Sequence, residues 1–417
     1  MKHIRLLSLL ALTSCCLTAC GGDNYQPDPN FDVSQVTVGL ICLHGDYSTY
    51  DNNFITAMNA AKDKLGFKLS IVQDIAEGQP CYDKAVEMAE MGCNIVFADS
   101  FGHEPYMINA AKAYKNVLFC HATGTNAANE NLDNFGDAFA SIYEGRYLAG
   151  VAGGLKLAEQ YGNGDGTKVS NENAKVGYVG AFTYAEIISG FTSFYLGVRS
   201  VVPNATMEVK YSGSWYDETK EHDIAAELIS RGAKLVSQHA DSHGAPTACE
   251  SADPKIPNVS YNGSTLSDGP NTYLTSSRIN WEPYYEHVVN EYVKCRQEGR
   301  KPAVDNDYTG TLKSGSVEVD AASANCAEGT QAKLDQIKSE LIAGTRHVFD
   351  FSTFTVGGAA PSAANMKPGA ATWANVSDDL AAKLVADDYY HESEYRSAPS
   401  FDVLIDGITN VNVDFGE

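Results

Sequence analysis

The sequence predicts an α/β protein with two doubly wound lobes, each built on a parallel sheet. Three observations support this fold class. Short apolar strands alternate with helices that stop at glycines, and this rhythm breaks once, in the asparagine-rich stretch 124–136, before it resumes. The chain has 417 residues, of which 44% are hydrophobic, so it can bury more than one core. Alternation of strands and helices is typical of parallel sheets covered by helices on both faces.

The first lobe begins with the continuous apolar run 36–42, which is expected for a strand buried on both faces. Strand and helix patterns then alternate, and two of the helices stop at Gly66 and Gly92. A glycine just past the last apolar position suits the left-handed residue that ends a helix. We predict strands at 36–42, 67–73, 94–98 and 117–122, and helices at 53–65, 82–91 and 104–114.

We interpret 124–136 as the first crossover between lobes, because it is polar and lacks apolar periodicity. A helix at 142–158 leads into the second lobe. The clearest unit there is 205–246, which reads strand, loop, helix, stop at Gly232, and strand. We predict strands of this lobe at 176–181, 207–212, 234–240 and 258–261, and a helix at 185–200.

The chain is expected to cross back near Asn262 and Gly263, so that a strand at 273–277 joins the first lobe. The first lobe is then 36–124 with about 263–278, and the second lobe is 125–262 with about 279–351. Residues 352–417 are interpreted as an extension that packs on the lobes. The remaining predicted elements are helices at 283–296 and 331–343, and strands at 313–319, 347–355 and 401–413.

The N-terminus has the pattern of a targeting signal. Lys2 and Arg5 precede an apolar run, and Leu17-Thr18-Ala19-Cys20 resembles the bacterial lipobox, whose cysteine is lipidated and becomes the first mature residue. An ordinary secretory signal that happens to contain cysteines is the alternative. We expect 1–19 to be a signal peptide, Cys20 to carry lipid and 20–35 to be a flexible tether. The mature protein would then be anchored in the cell envelope and face the extracytoplasmic side.

Charge and composition argue against several classes of partner. Loss of the signal removes Lys2 and Arg5 and takes the formal net charge from −23 to −25, which disfavours nucleic acid as a ligand. No C-x-x-C pair occurs, and His239 and His243 lack the H-E-x-x-H context of a zinc site. We therefore expect no metal and no cofactor.

Several stretches, in this order along 36–351, resemble the basic membrane protein (BMP) family of solute-binding lipoproteins of ABC transporters. The resemblance implies a type I periplasmic-binding fold, in which several crossovers hinge the two lobes. It also implies capture of a purine nucleoside or nucleobase for delivery to permease and ATPase subunits, and we expect a monomer. The stretches that carry it are Asn94 to Gly102 (NIVFADSFG), Tyr143 to Gly150 (YEGRYLAG), Gly177 to Ala181 (GYVGA), Gly213 to Asp217 (GSWYD) and Leu274 to Ser277 (LTSS).

The resemblance also implies site residues. By position, Tyr50 and Trp215 match the two aromatics that sandwich the base, one from each lobe, and stacking on a ring adds about 0.5–1.5 kcal/mol per face. Asp51, Asn262 and Asp268 carry groups that can read ring nitrogens and exocyclic amines.

Three further candidates, Ser100, Phe101 and Asp217, follow strands at the edge where ligands of parallel sheets lie.

Each candidate also has a structural interpretation. Tyr50 and Phe101 could pack within the first lobe, whereas an uncommitted Trp215 would expose a large apolar surface. Helix capping suits Asp217 and Ser100. Asn262 and Asp268 could serve the hinge.

Two departures from the nucleoside-binding pattern favour recognition of the base over the ribose. The fourth strand ends in His121-Ala122-Thr123-Gly124 where an acidic residue usually faces ribose hydroxyls, and Asp51 stands where asparagine is usual.

Three functional classes remain. A transport binding protein and a non-transporting nutrient sensor or surface lipoprotein need the same cleft, so the sequence alone does not separate them. An enzyme acting on nucleosides is disfavoured, because no G-x-S-x-G, Walker A or full G-x-G-x-x-G motif occurs.

Overall fold

The computed structural model describes residues 25–367 and 376–412. Its first sheet has six strands in the order β11-β5-β4-β3-β1-β2, and every neighbouring pair is parallel. We call this sheet with its helices lobe 1. The strands are β1 (Thr37–Ile41), β2 (Lys68–Val72), β3 (Ile95–Ala98), β4 (Leu118–Ala122), β5 (Phe135–Ala140) and β11 (Asp307–Gly310).

The second sheet has seven strands in the order β12-β10-β9-β8-β6-β7-β13, and this sheet with its helices is lobe 2. Its pairs are parallel except β10 with β12, which is antiparallel. The strands are β6 (Lys175–Gly180), β7 (Thr206–Tyr211), β8 (Leu235–His239), β9 (Asn258–Tyr261), β10 (Tyr273–Ile279), β12 (Val317–Val319) and β13 (Ile408–Asn410).

Helices connect the parallel strands, and their ends follow local chemistry. The first begins at the N-cap Ser48, whose side chain accepts from the N–H of Asp51, and ends at the left-handed Gly66. The helices are α1 (Thr49–Leu65), α2 (Gln79–Glu90), α3 (Glu104–Ala113), α4 (Ala127–Glu130), α5 (Ile142–Gly162), α6 (Ala185–Arg199), α7 (Glu218–Ser230), α8 (Gly244–Ser251), α9 (Glu282–Glu298), α10 (Thr330–Ile342) and α11 (Asp378–Leu384). None of them, within the residues described, is long and apolar enough to cross a membrane.

Up to β12, the chain passes between the lobes three times. It leaves lobe 1 between β5 and α5, since α5 packs on α6 and β10. It returns between β10 and α9, which packs on α1, and it leaves again between β11 and β12. This is the predicted α/β architecture of two parallel-sheet lobes joined by a multi-crossover hinge.

The predicted first crossover at 124–136 is wrong, because β5 pairs with β4 inside lobe 1. The strand was obscured by Gly136 and Asp137. Gly136 is needed because a Cβ there would lie 2.3 Å from the carbonyl oxygen of Asp305, and the buried Asp137 is satisfied by His121 at 2.8 Å.

The assignment of 263–278 to the first lobe is also wrong. Residues Ser276 and Ser277 of β10 pair with Ser260 and Tyr261 of β9, so this strand belongs to lobe 2. Conversely, α9 belongs to lobe 1 although it was expected in the second lobe. Strand patterns show that a strand exists but not which sheet it joins, so the pairing had to come from tertiary structure.

The structure also differs from the prediction near both ends of the chain. The predicted strand at 347–355 is absent, and only an isolated bridge joins Asp350 to Tyr389. Part of the predicted flexible tether is docked: Phe31 is buried against Tyr292, with ring centroids 6.1 Å apart, and Asp32 forms a capping box. The predicted signal peptide and Cys20 lie outside the described residues.

The C-terminal extension packs on both lobes. Its strand β13 adds to the edge strand β7 of lobe 2, while the N–H of Ser397 donates to the carboxylate of Asp307 at the edge of lobe 1. Phe401 is fully buried and stacks on Phe349 at 4.3 Å. The predicted strand character at 401–413 is therefore confirmed for Ile408–Asn410.

Candidate functional site

A cavity lies between the lobes, at the carboxyl ends of the parallel strands. This is the position where ligands of open α/β sheets bind. Lobe 1 contributes Leu43, His44, Tyr50, Ser100, Phe101 and Thr123, and lobe 2 contributes Glu186, Trp215, His239 and Asp241.

Two large aromatic side chains reach this cavity from different lobes. Tyr50 lies in the first turn of α1, where its hydroxyl donates to the carbonyl of Asp99 at 2.7 Å. Trp215 lies in the loop between β7 and α7, and its ring contacts Phe182 edge-on at 5.0 Å and Tyr184 at 5.7 Å. Tyr50 and Trp215 thus share one cavity, and other groups already hold both side chains.

The lobes touch each other around the cavity. The N–H and the hydroxyl of Thr49 in lobe 1 both donate to the carbonyl of Asp241 in lobe 2, at 3.0 and 3.2 Å. The ring of Phe101 meets that of Tyr184 at 5.2 Å. These contacts join opposite walls of the cleft.

Lobe 2 presents a histidine whose environment keeps it neutral. The ring of His239 is buried and lies 3.2 Å from Glu186 through Nε2, so the neutral ring carries its proton there and donates to the carboxylate. Burial, and then the charge of the Arg146 guanidinium, lower the pKa of His239 to about 4. His239 is consequently uncharged near neutral pH.

Asp241 is the most unusual group of the cavity. It is 4% exposed, and among the described residues no group donates to its carboxylate. Burial, together with the carboxylates of Asp51, Glu221 and Glu186, raises the pKa of Asp241 well above its ordinary value. A buried carboxyl without a donor is costly, so this one is available to a donor on a ligand.

A buried arginine underlies this wall. Arg146 on α5 is 1% exposed, donates to the carbonyl of Gln238 at 2.9 Å and stacks over Tyr261, with the guanidinium carbon 3.3 Å from the ring centroid. Its Nε and Nη2 have no hydrogen-bond partner among the described residues. The guanidinium lowers the pKa of Asp241 and so partly offsets the effect of burial.

Four of the eight predicted ligand-binding residues line the cavity, namely Tyr50, Ser100, Phe101 and Trp215. The other four lie elsewhere. Asp51 is buried in the first turn of α1, where it accepts from the N–H of His44 at 2.8 Å and from the hydroxyl of Ser48 at 2.7 Å. It therefore holds the loop before the helix.

Asp217, Asn262 and Asp268 also have structural partners. Asp217 is the N-cap of α7 and accepts from the N–H of Lys220 at 3.0 Å, which is the capping alternative recognised from the sequence. The carboxylate of Asp268 pairs with His243 at 2.8 Å. Asn262 has a left-handed backbone, with φ 61°, and its backbone N–H donates to the carbonyl of Ser277, whereas its buried side-chain Nδ2 has no partner among the described residues.

Sequence reasoning missed six cavity residues, namely Leu43, His44, Thr123, Glu186, His239 and Asp241. Thr123, His239 and Asp241 end or directly follow strands, and Glu186 lies in the first turn of α6, so strand ends were the signal that could have found them. Asp241 in particular follows β8 by two residues.

Two buried groups of side chains have the composition of metal ligands within the described residues. They are Cys42, Asp51 and Asp99, and Glu104, His121 and Asp137, with candidate ligand atoms within 4.8 Å of one another in each group. The second group is internally hydrogen-bonded. His239 and His243 face different carboxylates, Glu186 and Asp268, and so share no common ligand position.

Comparison with known proteins gives, among others, two relatives that are named for ligand binding. A purine-binding protein of Brucella abortus is 31% identical over 256 residues, which cover 60% of this chain and 67% of the relative. A putative ABC transporter glucose-binding protein of Haloferax volcanii is 31% identical over 199 residues, or 48% of this chain and 46% of the relative. This second match thus spans about half of that relative's length.

A solved structure supports the fold. An ABC transporter solute-binding protein of Conexibacter woesei superposes with a TM-score of 0.60 at 18% identity and covers 75% of this chain and 98% of its own. The family model of PnrA-like ABC transporter substrate-binding proteins, named Bmp, matches residues 46–347, which is most of the chain. The chain therefore belongs to the Bmp family of ABC transporter substrate-binding proteins, whose members act outside the cytoplasm.

Proposed function

We propose that this protein is the lipid-anchored binding component of an ABC importer and that it captures a purine nucleobase or nucleoside between Tyr50 and Trp215. The observation that carries the proposal is that these rings, from different lobes, line one cavity between the lobes. A planar heterocycle buried between them gains area burial and stacking on both faces. Neither lobe alone offers both surfaces.

The polar groups of the cavity suit a base that carries N–H donors. Asp241 and Glu186 are acceptors when ionised, and amino groups and ring N–H groups of purines are donors. A donor that meets the Asp241 carboxylate would also offset its burial. The relative that is named for purine binding agrees with this ligand class.

A sugar is the second candidate ligand. The relative named as a putative glucose-binding protein favours it, and carboxylates accept from sugar hydroxyls as well as from amines. The aromatic lining, with Tyr50, Phe101 and Trp215, favours the flat purine, because both faces of a planar ring can then be covered.

Delivery would follow the family's mode of action. The lobes close on the ligand by hinge rotation, and the closed form docks on the permease and its ATPase. Lipidation of Cys20 would hold the protein at the membrane surface. A sensor with the same cleft is the alternative, and loss of purine uptake on deletion of the gene would separate transport from sensing.

The direct test is a thermal-shift screen of the mature protein against purine bases, their nucleosides, glucose and ribose, followed by calorimetry. A ligand at 100 times its dissociation constant adds about 2.7 kcal/mol to the free energy of unfolding. We expect purines to raise Tm and sugars not to. A shift with glucose alone would replace the purine by the sugar as the ligand.

A further inference from the structure

A buried trio of titratable side chains lies behind the lobe 1 wall of the cavity. Glu104, His121 and Asp137 are 2%, 0% and 2% exposed and come from α3, β4 and β5. None of them lines the cavity. His121 and its neighbours are also where the sequence departs from the nucleoside-binding pattern, so their role needs its own explanation.

The trio is fully hydrogen-bonded, and its bonds lead to the cavity wall. His121 contacts the carboxylate of Asp137 through Nδ1 at 2.8 Å and the carbonyl of Ser100 through Nε2 at 2.6 Å. Both ring nitrogens thus face acceptors, which a charged imidazolium satisfies. Burial alone lowers the pKa of His121, but the bond and charge of Asp137 and the charge of Glu104 raise it above its ordinary value.

The two carboxylates hold the next loop. Glu104 accepts from the N–H groups of Thr125 and Asn126 at 2.9 and 2.6 Å, and Asp137 accepts from the N–H of Ala127 at 3.2 Å. Asp137 approaches so closely that a Cβ on Gly124 would lie 2.3 Å from its Oδ1. The trio therefore fixes the backbone on both sides of Thr123.

Thr123 itself is strained. Its φ of 71° lies in the left-handed region, which costs of order 1–3 kcal/mol for a residue other than glycine and is most unfavourable for β-branched side chains. Thr123 is 4% exposed and lines the cavity. Burial raises the pKa of Tyr50, and a hydrogen bond from the side chain of Thr123 lowers it in part. Such strain persists only where the surroundings over-determine it.

We propose that Glu104, His121 and Asp137 are positioning residues that hold Ser100 and the strained Thr123 in place, so that the lobe 1 wall of the cavity is formed before ligand arrives. The trio does not touch the ligand. Its benefit is to remove the ordering cost that a mobile wall would add to binding. This inference rests on the proposed function only for its affinity measurements.

The first test uses the unliganded protein. Asp137→Asn keeps the shape and removes the charge that pairs with His121. We expect the backbone and Cβ chemical shifts of Thr123 and Ser100 to move, as Thr123 leaves the left-handed region. The matched control is His103→Gln, in the same lobe, because His103 is also 0% exposed but contacts the carbonyl of Ile75 instead. Equal small shifts in both variants would overturn the proposal.

The second test separates the effect of the backbone strain at Thr123 from the effect of the Thr123 hydroxyl. It applies even if Asp137→Asn fails to fold. Thr123→Gly relieves the backbone strain and should raise Tm, whereas Thr123→Ala keeps the strain and should not. Adenine binding, measured by calorimetry, should weaken about tenfold or more in Thr123→Gly although that variant is the more stable. A Tm that does not rise in Thr123→Gly would show that no strain is stored there.

The outcomes also separate this inference from the proposed function. If the wild-type protein binds no purine, the chemical shifts and the Tm values of Thr123→Gly and Thr123→Ala still decide whether the wall is held in place. If adenine binds and its affinity in Asp137→Asn stays within twofold of that in His103→Gln, the trio is only structural.

Discussion

The two walls of the cleft hold buried aspartates of opposite character. Asp51 behind the lobe 1 wall is 0% exposed and accepts from His44 and Ser48, and its pKa is lowered because these bonds outweigh burial. Asp241 in the lobe 2 wall is 4% exposed, has no donor among the described residues, and has a raised pKa. Similar burial therefore stabilises the fold at Asp51 and destabilises it at Asp241. Asp99 of lobe 1 resembles Asp241, since burial also raises its pKa well above the ordinary value.

This difference indicates how the two walls divide the work of binding. In the lobe 1 wall, Tyr50 donates to Asp99, Ser100 donates to Glu77, and His121 holds the Ser100 carbonyl. Among the described residues, only Nδ1 of His44 and Oδ2 of Asp99 at this wall lack a hydrogen-bond partner. The lobe 2 wall keeps groups that its own side chains do not satisfy. Unsatisfied buried groups of this kind are found at functional sites, where a ligand provides the missing partner.

The largest expected effect is loss of the central ring of lobe 2. Trp215→Ala should weaken purine binding by about 2 kcal/mol or more, roughly 30-fold, because truncation of a buried aromatic anchor removes stacking and contact area. Calorimetry measures it. Tyr50→Phe keeps the lobe 1 ring and should change affinity much less. An unchanged dissociation constant in Trp215→Ala would remove that ring from the site.

The two aspartates give the sharpest comparison. Asp241→Asn should weaken purine binding by about 2 kcal/mol through loss of a charge-assisted hydrogen bond, yet raise the stability of the unliganded protein by removing a buried carboxyl without a donor. Asp51→Asn should do the reverse, lowering stability and leaving affinity nearly unchanged. Denaturant unfolding and calorimetry report both. Loss of stability in Asp241→Asn would contradict the division between the walls.

The dependence of the free energy of unfolding on pH should reveal the titration of His239 in lobe 2. The pKa of His239 is about 4 when folded and near 6.5 when unfolded, so the unfolded chain binds the extra proton and stability falls as pH drops from 6.5 through 4. His239→Gln should remove roughly 1.5 kcal/mol of the loss between pH 6.5 and 5. His103, whose pKa is also lowered to about 4, is the control. His103→Gln should also reduce the dependence of the free energy of unfolding on pH, and it should leave ligand affinity unchanged.

The smallest expected effect concerns a residue whose cap role and ligand role can be separated. Asp217→Ala should cost about 1 kcal/mol of stability by removing the N-cap of α7. Purine affinity should stay within about twofold, because the side chain does not line the cavity. A much larger loss of affinity than of stability would return Asp217 to the binding site.

Much of the site was accessible from the sequence because strand ends are local. Ser100, Phe101 and Trp215 each follow a strand closely, and the carboxyl ends of parallel strands gather at one edge. Tyr50, in the first turn of α1, was indicated only by the family resemblance. Asp241 was overlooked although it satisfies the same criterion. An aspartate after a strand usually caps a helix or a turn, so only its lack of a donor marks it as functional.

By itself, the sequence determined the strand–helix rhythm, the two-lobed α/β class and most helix ends, because these depend on apolar periodicity and on glycines that tolerate left-handed backbone. Tertiary structure alone decided which lobe receives β5, β10 and α9, because strand pairing joins residues far apart in the chain. It also decided which buried carboxylates find donors. That outcome depends on hydrogen-bond geometry between elements, and no pattern along one chain segment encodes it.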